Sequence, residues 1–322
     1  MRKIHFNYKS LGMLALFVIS MISCKNNQSK ATIEVSEDRD KVAAILKTQS
    51  FEFDPENITK VTGDYIHTTS LNIPKELPGQ NKWVMFEGPV LENDLIAYRF
   101  YGDSRNRSDI YGKKVQDLVM DTVSWNYHNL MDWGSDILKV GNSLGIGAPG
   151  VYYKDTIYTL SEWDKKTINV ERDDTKMAVF NTEFDGLKFD DFITDGNQKW
   201  SIKAGELWTE VTVDFDQSLP EGAYFATGIV KHLEDFVEGG NSSMQYLYTW
   251  GTQSYHDQEL GMGLVVDKKY APRKIEDELS HLWIFENAEQ SVTYRFLAAW
   301  PEGVEEIKSA EDFENYIRNI TL

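Results

Sequence analysis

Alternation of apolar and polar side chains with a period of two is the feature that most constrains how this chain folds. It is clearest between Leu207 and Phe215, where the polar residues Glu210, Thr212 and Asp214 alternate with the apolar residues Val211, Val213 and Phe215. Successive side chains of a β-strand point to opposite faces, so this pattern predicts a strand with one buried face. Comparable segments, several of them split by turn residues, lie at 82–99, 151–160, 167–174, 177–184, 224–232, 244–250, 260–266 and 291–298.

Helical patterns are few. We predict helices only at 42–46, 112–123 and 310–320, the last beginning near Ser309 as its N-cap. Many strands joined by turns, with few helices, predict an all-β fold of stacked antiparallel sheets. No repeat or long linker divides the chain after residue 45, so we predict one β-sandwich catalytic domain over 46–322.

The N-terminus has the pattern of a lipoprotein export signal. Basic residues come first, an apolar run from Leu11 to Ser23 follows, and Cys24 is the only cysteine of the chain. This order predicts a signal peptide over 1–23 and lipidation of Cys24. Residues 24–45 are mostly polar and predict a lipidated tether.

Lipid chains anchor a protein by burying methylene groups, so Cys24 predicts attachment to a membrane of the cell envelope. The residues that follow it, Lys25-Asn26-Asn27, lack the acidic run associated with export to the cell surface. We therefore expect an outer-membrane anchor that faces the periplasm.

The chain is strongly acidic, with a formal net charge of −18. The predicted signal peptide carries three basic and no acidic residues, so the mature chain would have a net charge of −21. Nucleic-acid binding depends on basic residues that neutralise phosphates, so nucleic acid is excluded as a partner. An anionic ligand requires a local cluster of Arg, Lys or His that overcomes this charge.

Two overlapping glycine motifs do not predict the sites they resemble. Gly145-Ile-Gly147-Ala-Pro-Gly150 has the spacing of a dinucleotide-binding loop, and Gly141-Asn-Ser143-Leu-Gly145 that of a nucleophile elbow. Both motifs require a helix directly afterwards, and the glycines and Pro149 make such a helix implausible. We predict a loop here, no nucleophilic Ser143, and no cofactor.

Three groups of polar residues are candidates for a site. In the first, Glu92 and Asn93 lie at a predicted hairpin turn, and Arg99 and Tyr101, two residues apart on a strand, share one sheet face. A guanidinium beside a phenol can bind a carboxylate in bidentate fashion. The alternative is an exposed cross-strand pair.

The second group is the segment 125–136, with Lys139 close behind it. Sugar binding needs flat apolar faces and convergent polar groups. Trp133, Asp132 and His128 supply both here, and Trp250 and Tyr255 add further stacking surfaces. The alternative is a small buried aromatic cluster.

The third group is the histidines of the mature chain, at positions 67, 128, 232, 256 and 281. None belongs to an HExxH motif, and none has a second histidine nearby in sequence, so we predict no metal site. His128 and His232 remain the candidates for proton transfer, since an unperturbed histidine titrates near neutrality.

Several motifs resemble a family of lipoproteins from polysaccharide-degrading, Bacteroidetes-type bacteria, long catalogued as a domain of unknown function. The motifs are Gly88-Pro-Val-Leu-Glu-Asn-Asp94, Ala97-Tyr-Arg-Phe-Tyr101, Tyr111-Gly-Lys113, Ala226-Thr-Gly-Ile-Val-Lys-His232, Tyr248-Thr-Trp-Gly-Thr-Gln253, Leu260-Gly-Met-Gly263 and Ala298-Ala-Trp300. The resemblance covers about residues 60–320. It implies a galactose-mutarotase-like β-supersandwich, and some family members resemble ulvan oligosaccharide dehydratases.

That resemblance implies removal of water from a terminal uronic acid, giving a 4,5-unsaturated uronate. The reaction needs a cation at the carboxylate, a base at C5 and an acid at the departing hydroxide. We expect Arg99, with Lys139, in the first role, and His128 or His232 as base. Tyr101 or the other histidine is the expected acid. A polysaccharide lyase, a mutarotase or epimerase, and a non-catalytic glycan-binding lipoprotein are the alternatives.

Overall fold

The computed structural model describes residues 41–50 and 52–322. The predicted signal peptide, Cys24 and most of the predicted tether lie outside the described residues. The prediction of an all-β fold with antiparallel sheets is confirmed. Within the described range no helix has the length and apolar character needed to cross a membrane.

The strands in chain order are β1 Val42–Ile45, β2 Lys47–Gln49, β3 Tyr65–His67, β4 Ser70–Asn72, β5 Val90–Asn93, β6 Ile96–Phe100, β7 Ser108–Lys113, β8 Gly134–Asp136, β9 Ile146–Tyr153, β10 Thr156–Thr159, β11 Lys165–Asp173, β12 Met177–Phe189, β13 Phe192–Lys203, β14 Trp208–Phe215, β15 Tyr224–Val230, β16 Val237–Gly240, β17 Met244–Thr252, β18 Glu259–Asp267, β19 Pro272–Ile275, β20 Ser280–Phe285 and β21 Ser291–Ala299. The helices are α1, Ala310–Arg318, and short 3₁₀ helices at Met85–Glu87 and Lys268–Tyr270.

These strands form three larger sheets. The first five-stranded sheet has the order β1-β5-β6-β7-β8, and the second has the order β10-β9-β15-β20-β19. The nine-stranded sheet has the order β16-β17-β18-β21-β14-β13-β12-β11-β4, and β2 and β3 form a separate two-stranded sheet. Neighbouring strands are antiparallel throughout, as expected for sheets built from hairpins and longer returns.

Both five-stranded sheets pack on the same face of the nine-stranded sheet. Tyr98 of the first sheet meets Phe296 with ring centroids 4.9 Å apart, and Phe225 of the second meets Phe215 at 4.8 Å. Phe296 and Phe215 share one sheet face, because their strands pair in register and the residues differ by even steps. One continuous apolar core therefore joins all three sheets.

Helix α1 covers the opposite face of the nine-stranded sheet. The Ser309 side chain accepts a hydrogen bond from the backbone N–H of Asp312, so Ser309 is the N-cap, as predicted. Phe313 packs against Tyr248 and Trp250, each with ring centroids 5.7 Å away. Trp250 is half-buried and packs against this helix, and its stacking on a sugar stays a prediction.

Three local predictions need correction. Residues 42–46 are not helical: β1 pairs with β5, so the folded body begins at or before Val42 and the tether prediction of 24–45 runs too far. The segment 112–123 is the end of β7 followed by turns, and Glu92 holds it through Lys113 and the N–H groups of Val119 and Met120. The predicted glycine loop becomes β9 from Ile146, with Gly147 at φ +71° beside the Phe296 ring.

Candidate functional site

A buried charged cluster lies on the outer face of the first sheet, away from the main core. Arg99 on β6 pairs in register with Asp109 on β7, and Tyr111 on β7 pairs with Asp136 on β8. Alternation along β6 turns Tyr98 and Phe100 inward, so Arg99 points to the other face. The segment between β7 and β8 folds over this face, and its Tyr127 packs on Tyr111 and Phe86.

Arg99 is the centre of the cluster, with 2% of its side chain exposed. Its Nη2 donates to Asp109 Oδ2 and to Tyr101 Oη, the latter at 2.8 Å, and lies 3.3 Å from Asp136 Oδ2. Its Nη1 donates to Tyr127 Oη at 3.0 Å and to the carbonyl of Phe86. Arg99 and Tyr101 therefore point to the same face of the sheet, as predicted.

The predicted role of Arg99 as a substrate carboxylate clamp does not fit this geometry. Two protein carboxylates already bind its guanidinium, and the side chain is closed to solvent. Tyr101 is only 7% exposed, and its hydroxyl donates to Asp109 Oδ2 at 2.9 Å, so it does not face a substrate either. Both residues support the site from within.

A strained turn borders the cluster. Phe86 and Glu87 have φ values of 59° and 62°, in the left-handed region that bulky residues rarely adopt. The turn is held by Arg99 at the Phe86 carbonyl and by Arg105, whose Nη2 lies 2.7 Å from Glu87 Oε2. Such strain persists only where surrounding contacts enforce it, and it concentrates at functional sites.

Burial changes the proton affinity of the cluster. It raises the pKa of Asp109 to about 6, an effect that neighbouring Asp136 reinforces and Arg99 opposes. Burial also raises the pKa of Tyr127 to about 12, against the influence of Arg99. Two buried carboxylates thus share a single guanidinium.

His128 connects this cluster to the surface. Its Nδ1 lies 3.1 Å from Asp136 Oδ2, while its side chain is 50% exposed and that of Asp136 only 1%. The two groups lie within ion-pair distance, so Asp136 holds the Nδ1 side of a ring that is half open to solvent. A half-exposed histidine held by a buried carboxylate can act as a general base.

Tyr255 and His256 complete the surface around His128. The Tyr255 ring stacks on His128 with centroids 5.7 Å apart, and it meets the His256 ring at 5.1 Å. The backbone N–H of Tyr255 donates to the Ile137 carbonyl, which fixes this loop to the end of β8. His256 Nε2 lies 2.8 Å from Ser135 Oγ, and burial lowers the pKa of His256.

Two exposed lysines, Lys139 and Lys114, lie near aromatic rings of this region. Lys139 Nζ lies 5.4 Å from the Tyr255 ring centre, and Lys114 Nζ lies 5.5 Å from that of Trp300. Neither lysine forms an ion pair with another described residue. His232 bonds through Nε2 to the Lys139 carbonyl at 2.8 Å, so it supports the Lys139 backbone rather than facing His128 directly.

The predicted substrate-binding roles of Glu92 and Asn93 are wrong. Both side chains are fully buried. Glu92 lies 2.8 Å from Lys113 Nζ and accepts the backbone N–H groups of Val119 and Met120. Asn93 binds the carbonyls of Lys203 and Glu206 and caps its own hairpin turn. Their polar groups therefore connect segments of the fold to one another.

The remaining predicted residues lie close to His128 in sequence. Asp132 is exposed, and Trp133 is half-buried with its ring centre 6.4 Å from that of Tyr111. Ser143 is buried, and its hydroxyl donates to the Val140 carbonyl, so it stabilises a turn.

Among the described residues no group of three or more His, Cys, Asp or Glu side chains is arranged to hold a metal ion.

Sequence reasoning missed Asp109 and Lys114, and it included Asp136 and His256 only as members of larger groups without a role. Asp136 and Asp109 alternate with apolar residues at strand ends, but only strand pairing shows that they flank Arg99. His256 lies 128 residues after His128, and the sequence does not signal that the two approach the same tyrosine. The adjacent Tyr255-His256 pair was the only local hint.

Comparison with known protein families gives a match to a family model described as a domain of unknown function, DUF4861, over residues 16–321. A search of the curated proteins returns no match. The matched range contains the whole cluster around Arg99 and His128 and nearly the entire chain. The protein therefore belongs to the DUF4861 family.

Proposed function

We propose that this protein is a carbohydrate-active enzyme that eliminates water from the terminal uronic acid of an oligosaccharide. The observation that carries the proposal is the His128–Asp136 pair, in which a buried carboxylate orients a half-exposed imidazole. The imidazole stacks on the Tyr255 ring, and Lys139 Nζ lies 5.4 Å from the centre of that ring. This is the set of groups that proton abstraction next to a carboxylate requires.

In the proposed reaction His128 Nε2 takes the C5 proton of the uronic acid. The electron pair of the broken C5–H bond forms the C4–C5 double bond, and the C4–O bond breaks. The departing hydroxide takes a proton from the Tyr255 phenol and leaves as water. Tyr255 suits this role because its side chain is 39% exposed and its hydroxyl has no hydrogen-bond partner among the described side chains.

The C5 proton becomes acidic enough only when the adjacent carboxylate is neutralised. Lys139 now takes the role first expected of Arg99, because it is exposed, lies next to Tyr255 and has no ion-pair partner in the described chain. Arg99 instead holds Asp136, and so positions His128. A local cationic group is essential here because the net charge of −18 otherwise repels an anionic sugar.

The wider context comes from the resemblance to polysaccharide-utilisation lipoproteins, which supports an ulvan-type uronic substrate. It also supports a lipid-anchored location through Cys24, in the outer membrane facing the periplasm. A lyase shares the same first step, since only the group that leaves C4 differs.

The test is the ultraviolet absorbance of the conjugated product on a panel of oligosaccharides with terminal uronic acids. We expect absorbance to rise while mass spectrometry shows loss of one water without chain cleavage. His128→Ala should lower kcat by about 10²–10⁴-fold, the usual contribution of a positioned acid or base. His67→Ala is the matched control, because that exposed histidine lies beside the exposed carboxylate of Asp121 and outside the site, and its kcat should stay within a few-fold of wild type.

Three other outcomes would change the assignment. Absorbance accompanied by cleavage would make the protein a lyase. A flat trace with altered sugar proton signals in NMR would make it an epimerase or mutarotase. Saturable binding without any product, unaffected by His128→Ala, would indicate that the protein is a glycan-binding lipoprotein without catalytic activity.

A further inference from the structure

The β7–β8 segment, residues 114–133, carries His128 without forming a strand or a helix of its own. Segments of this length without regular structure are uncommon in compact domains, and many of them serve a function. Other parts of the fold must therefore hold such a segment in place. Glu92 holds its first half at the N–H groups of Val119 and Met120. The half that carries His128 is in contact with a different element, the two-stranded sheet of β2 and β3.

That two-stranded sheet has a firmly bonded face. Its strands pair Gln49 directly with Tyr65, so both side chains share one face. Gln49 is 1% exposed, and its amide donates to the carbonyls of Lys60 and Lys82 at 2.6 and 2.8 Å. Its amide oxygen accepts the N–H of Thr62 at 2.8 Å. A sheet of only two short strands is marginally stable by itself, so these bonds fix the backbone beneath Tyr65.

Tyr65 reaches from this face to the half of the β7–β8 segment that carries His128. Its hydroxyl accepts the indole Nε1–H of Trp125 at 2.8 Å and donates to the carbonyl of Lys82. That carbonyl is the one that Gln49 also binds. Burial raises the pKa of Tyr65 to about 12, so the phenol keeps the proton that it donates.

Trp125 is held through its ring as well as through its nitrogen. Lys82 Nζ lies 3.4 Å from the ring centre, which is a cation–π contact. The ring also packs against that of Tyr127, with centroids 5.9 Å apart. Trp125 therefore connects Tyr65 and Lys82 to the residue that precedes His128.

Tyr127 connects Trp125 to His128. The rings of Tyr127 and His128 have centroids 4.5 Å apart. Arg99 donates to the Tyr127 hydroxyl at 3.0 Å, and the Asp136 N–H donates to the Tyr127 carbonyl at 2.8 Å. The half-exposed imidazole is therefore oriented by the buried cluster and, through Tyr127, by the contact of Trp125 with Tyr65.

We propose that Tyr65 is a positioning residue for His128 and acts through Trp125 and Tyr127. Its hydroxyl is committed to Trp125 and to the Lys82 carbonyl, so its role is to place other groups rather than to react. The hydroxyl fixes the indole, and the indole fixes the Tyr127 ring against which His128 packs. The effect on turnover rests on the proposed function, whereas the placement of the imidazole does not.

The test compares Tyr65→Phe with Tyr316→Phe in the whole chain. The Tyr316 hydroxyl likewise accepts one N–H group and donates to one oxygen, but it links α1, on the opposite face of the nine-stranded sheet, to the turn before β14. NMR of the Trp125 indole N–H and of the His128 ring C–H groups gives the readout, and their signals are identified by loss in Trp125→Phe and His128→Ala. In Tyr65→Phe we expect the indole proton to move upfield and the His128 ring signals to move with it. In Tyr316→Phe both should stay in place.

Kinetics on a uronic oligosaccharide add a second readout. In Tyr65→Phe kcat should fall roughly tenfold to a hundredfold, because a displaced base slows the chemical step. KM should change by about threefold or less, since the groups that bind the sugar are unchanged. In Tyr316→Phe kcat should stay within about twofold of wild type, because the base keeps its place.

Either of two results would overturn the proposal. One is a set of His128 ring signals that stays in place in Tyr65→Phe, even if the Trp125 signal moves. The other is a kcat that falls no further in Tyr65→Phe than in Tyr316→Phe. A wild-type protein without turnover on any uronic sugar would contradict the proposed function instead, and the NMR comparison, which needs no substrate, would then decide the placement of His128 by itself.

Discussion

At the scale of single residues, Lys166 shows how strongly burial changes an ionisable group. It is fully buried on β11, with Nζ 5.3 Å and 5.4 Å from the ring centres of Phe100 and Phe184. Its hydrogen-bond acceptors are the Asp103 carbonyl and Asn106 Oδ1, both at 3.2 Å. Burial lowers the pKa of Lys166 from 10.5 to about 7, although Asp103 opposes the change.

We expect Lys166→Met to stabilise the protein more at pH 6 than at pH 9. Between pH 7 and 10.5 the unfolded lysine binds a proton that the folded lysine releases, so wild-type stability rises with pH. Below pH 7 both forms are charged and the full cost of burial is present. The stability difference should therefore shrink above pH 7, by up to about 1.4 kcal/mol per pH unit.

Urea unfolding of wild type and Lys166→Met at pH 6, 7, 8 and 9 measures this difference. Lys176→Met is the control, because Lys176 is exposed and its substitution should give a difference that does not vary with pH. A pH-independent difference for Lys166→Met would show that Lys166 stays charged in the folded protein.

At the scale of elements, the first sheet is joined to the segment above it by a buried ion pair. Glu92 on β5 reaches across β6 to Lys113 on β7, and its oxygens also accept the N–H groups of Val119 and Met120. Burial raises the pKa of Glu92 and lowers that of Lys113, and their mutual attraction opposes both shifts. The segment carrying Tyr127 and His128 begins from this anchor.

We expect Glu92→Gln to destabilise the protein by about 3–5 kcal/mol, because it leaves the Lys113 charge buried without a counter-charge. The double variant Glu92→Met with Lys113→Met removes both charges and should recover most of that loss. Chemical unfolding of the three proteins gives the comparison. A double variant no more stable than Glu92→Gln would show that the hydrogen bonds to Val119 and Met120 outweigh the ion pair.

At the scale of the whole molecule, the dominant electrostatic feature is the net charge of −18. Like charges spread over a compact surface repel one another and destabilise the folded state. Dissolved salt shortens the range of this repulsion from about 30 Å at 0.01 M to about 8 Å at 0.15 M. Stability should therefore depend on ionic strength even where no specific ion is bound.

We expect Tm to rise by about 2–4 °C between 10 mM and 150 mM NaCl, the shift that about 1 kcal/mol produces in a large domain. Differential scanning calorimetry in NaCl and in choline chloride separates general screening from binding of sodium. A rise only in NaCl would indicate a specific cation site, and a constant Tm would show that surface ion pairs already offset the repulsion.

The sequence by itself determined the all-β class and most strand positions, because alternation with a period of two reports directly on one buried sheet face. It also determined the N-cap at Ser309. These features depend on local geometry, which neighbouring residues encode. Local signals predicted a helix for the short apolar segment at 42–46, but this segment forms a strand because it pairs with β5.

Only the tertiary structure decided which candidate residues act together. Arg99, Asp109 and Asp136 are adjacent because β6, β7 and β8 pair in register, and Tyr255 reaches His128 through a loop more than 120 residues away. Tertiary packing also buried Glu92 and Asn93, since burial is a property of the whole fold. Residue types suggest which chemistry is available, but proximity and exposure, which the folded chain alone sets, decide which of those residues can perform it.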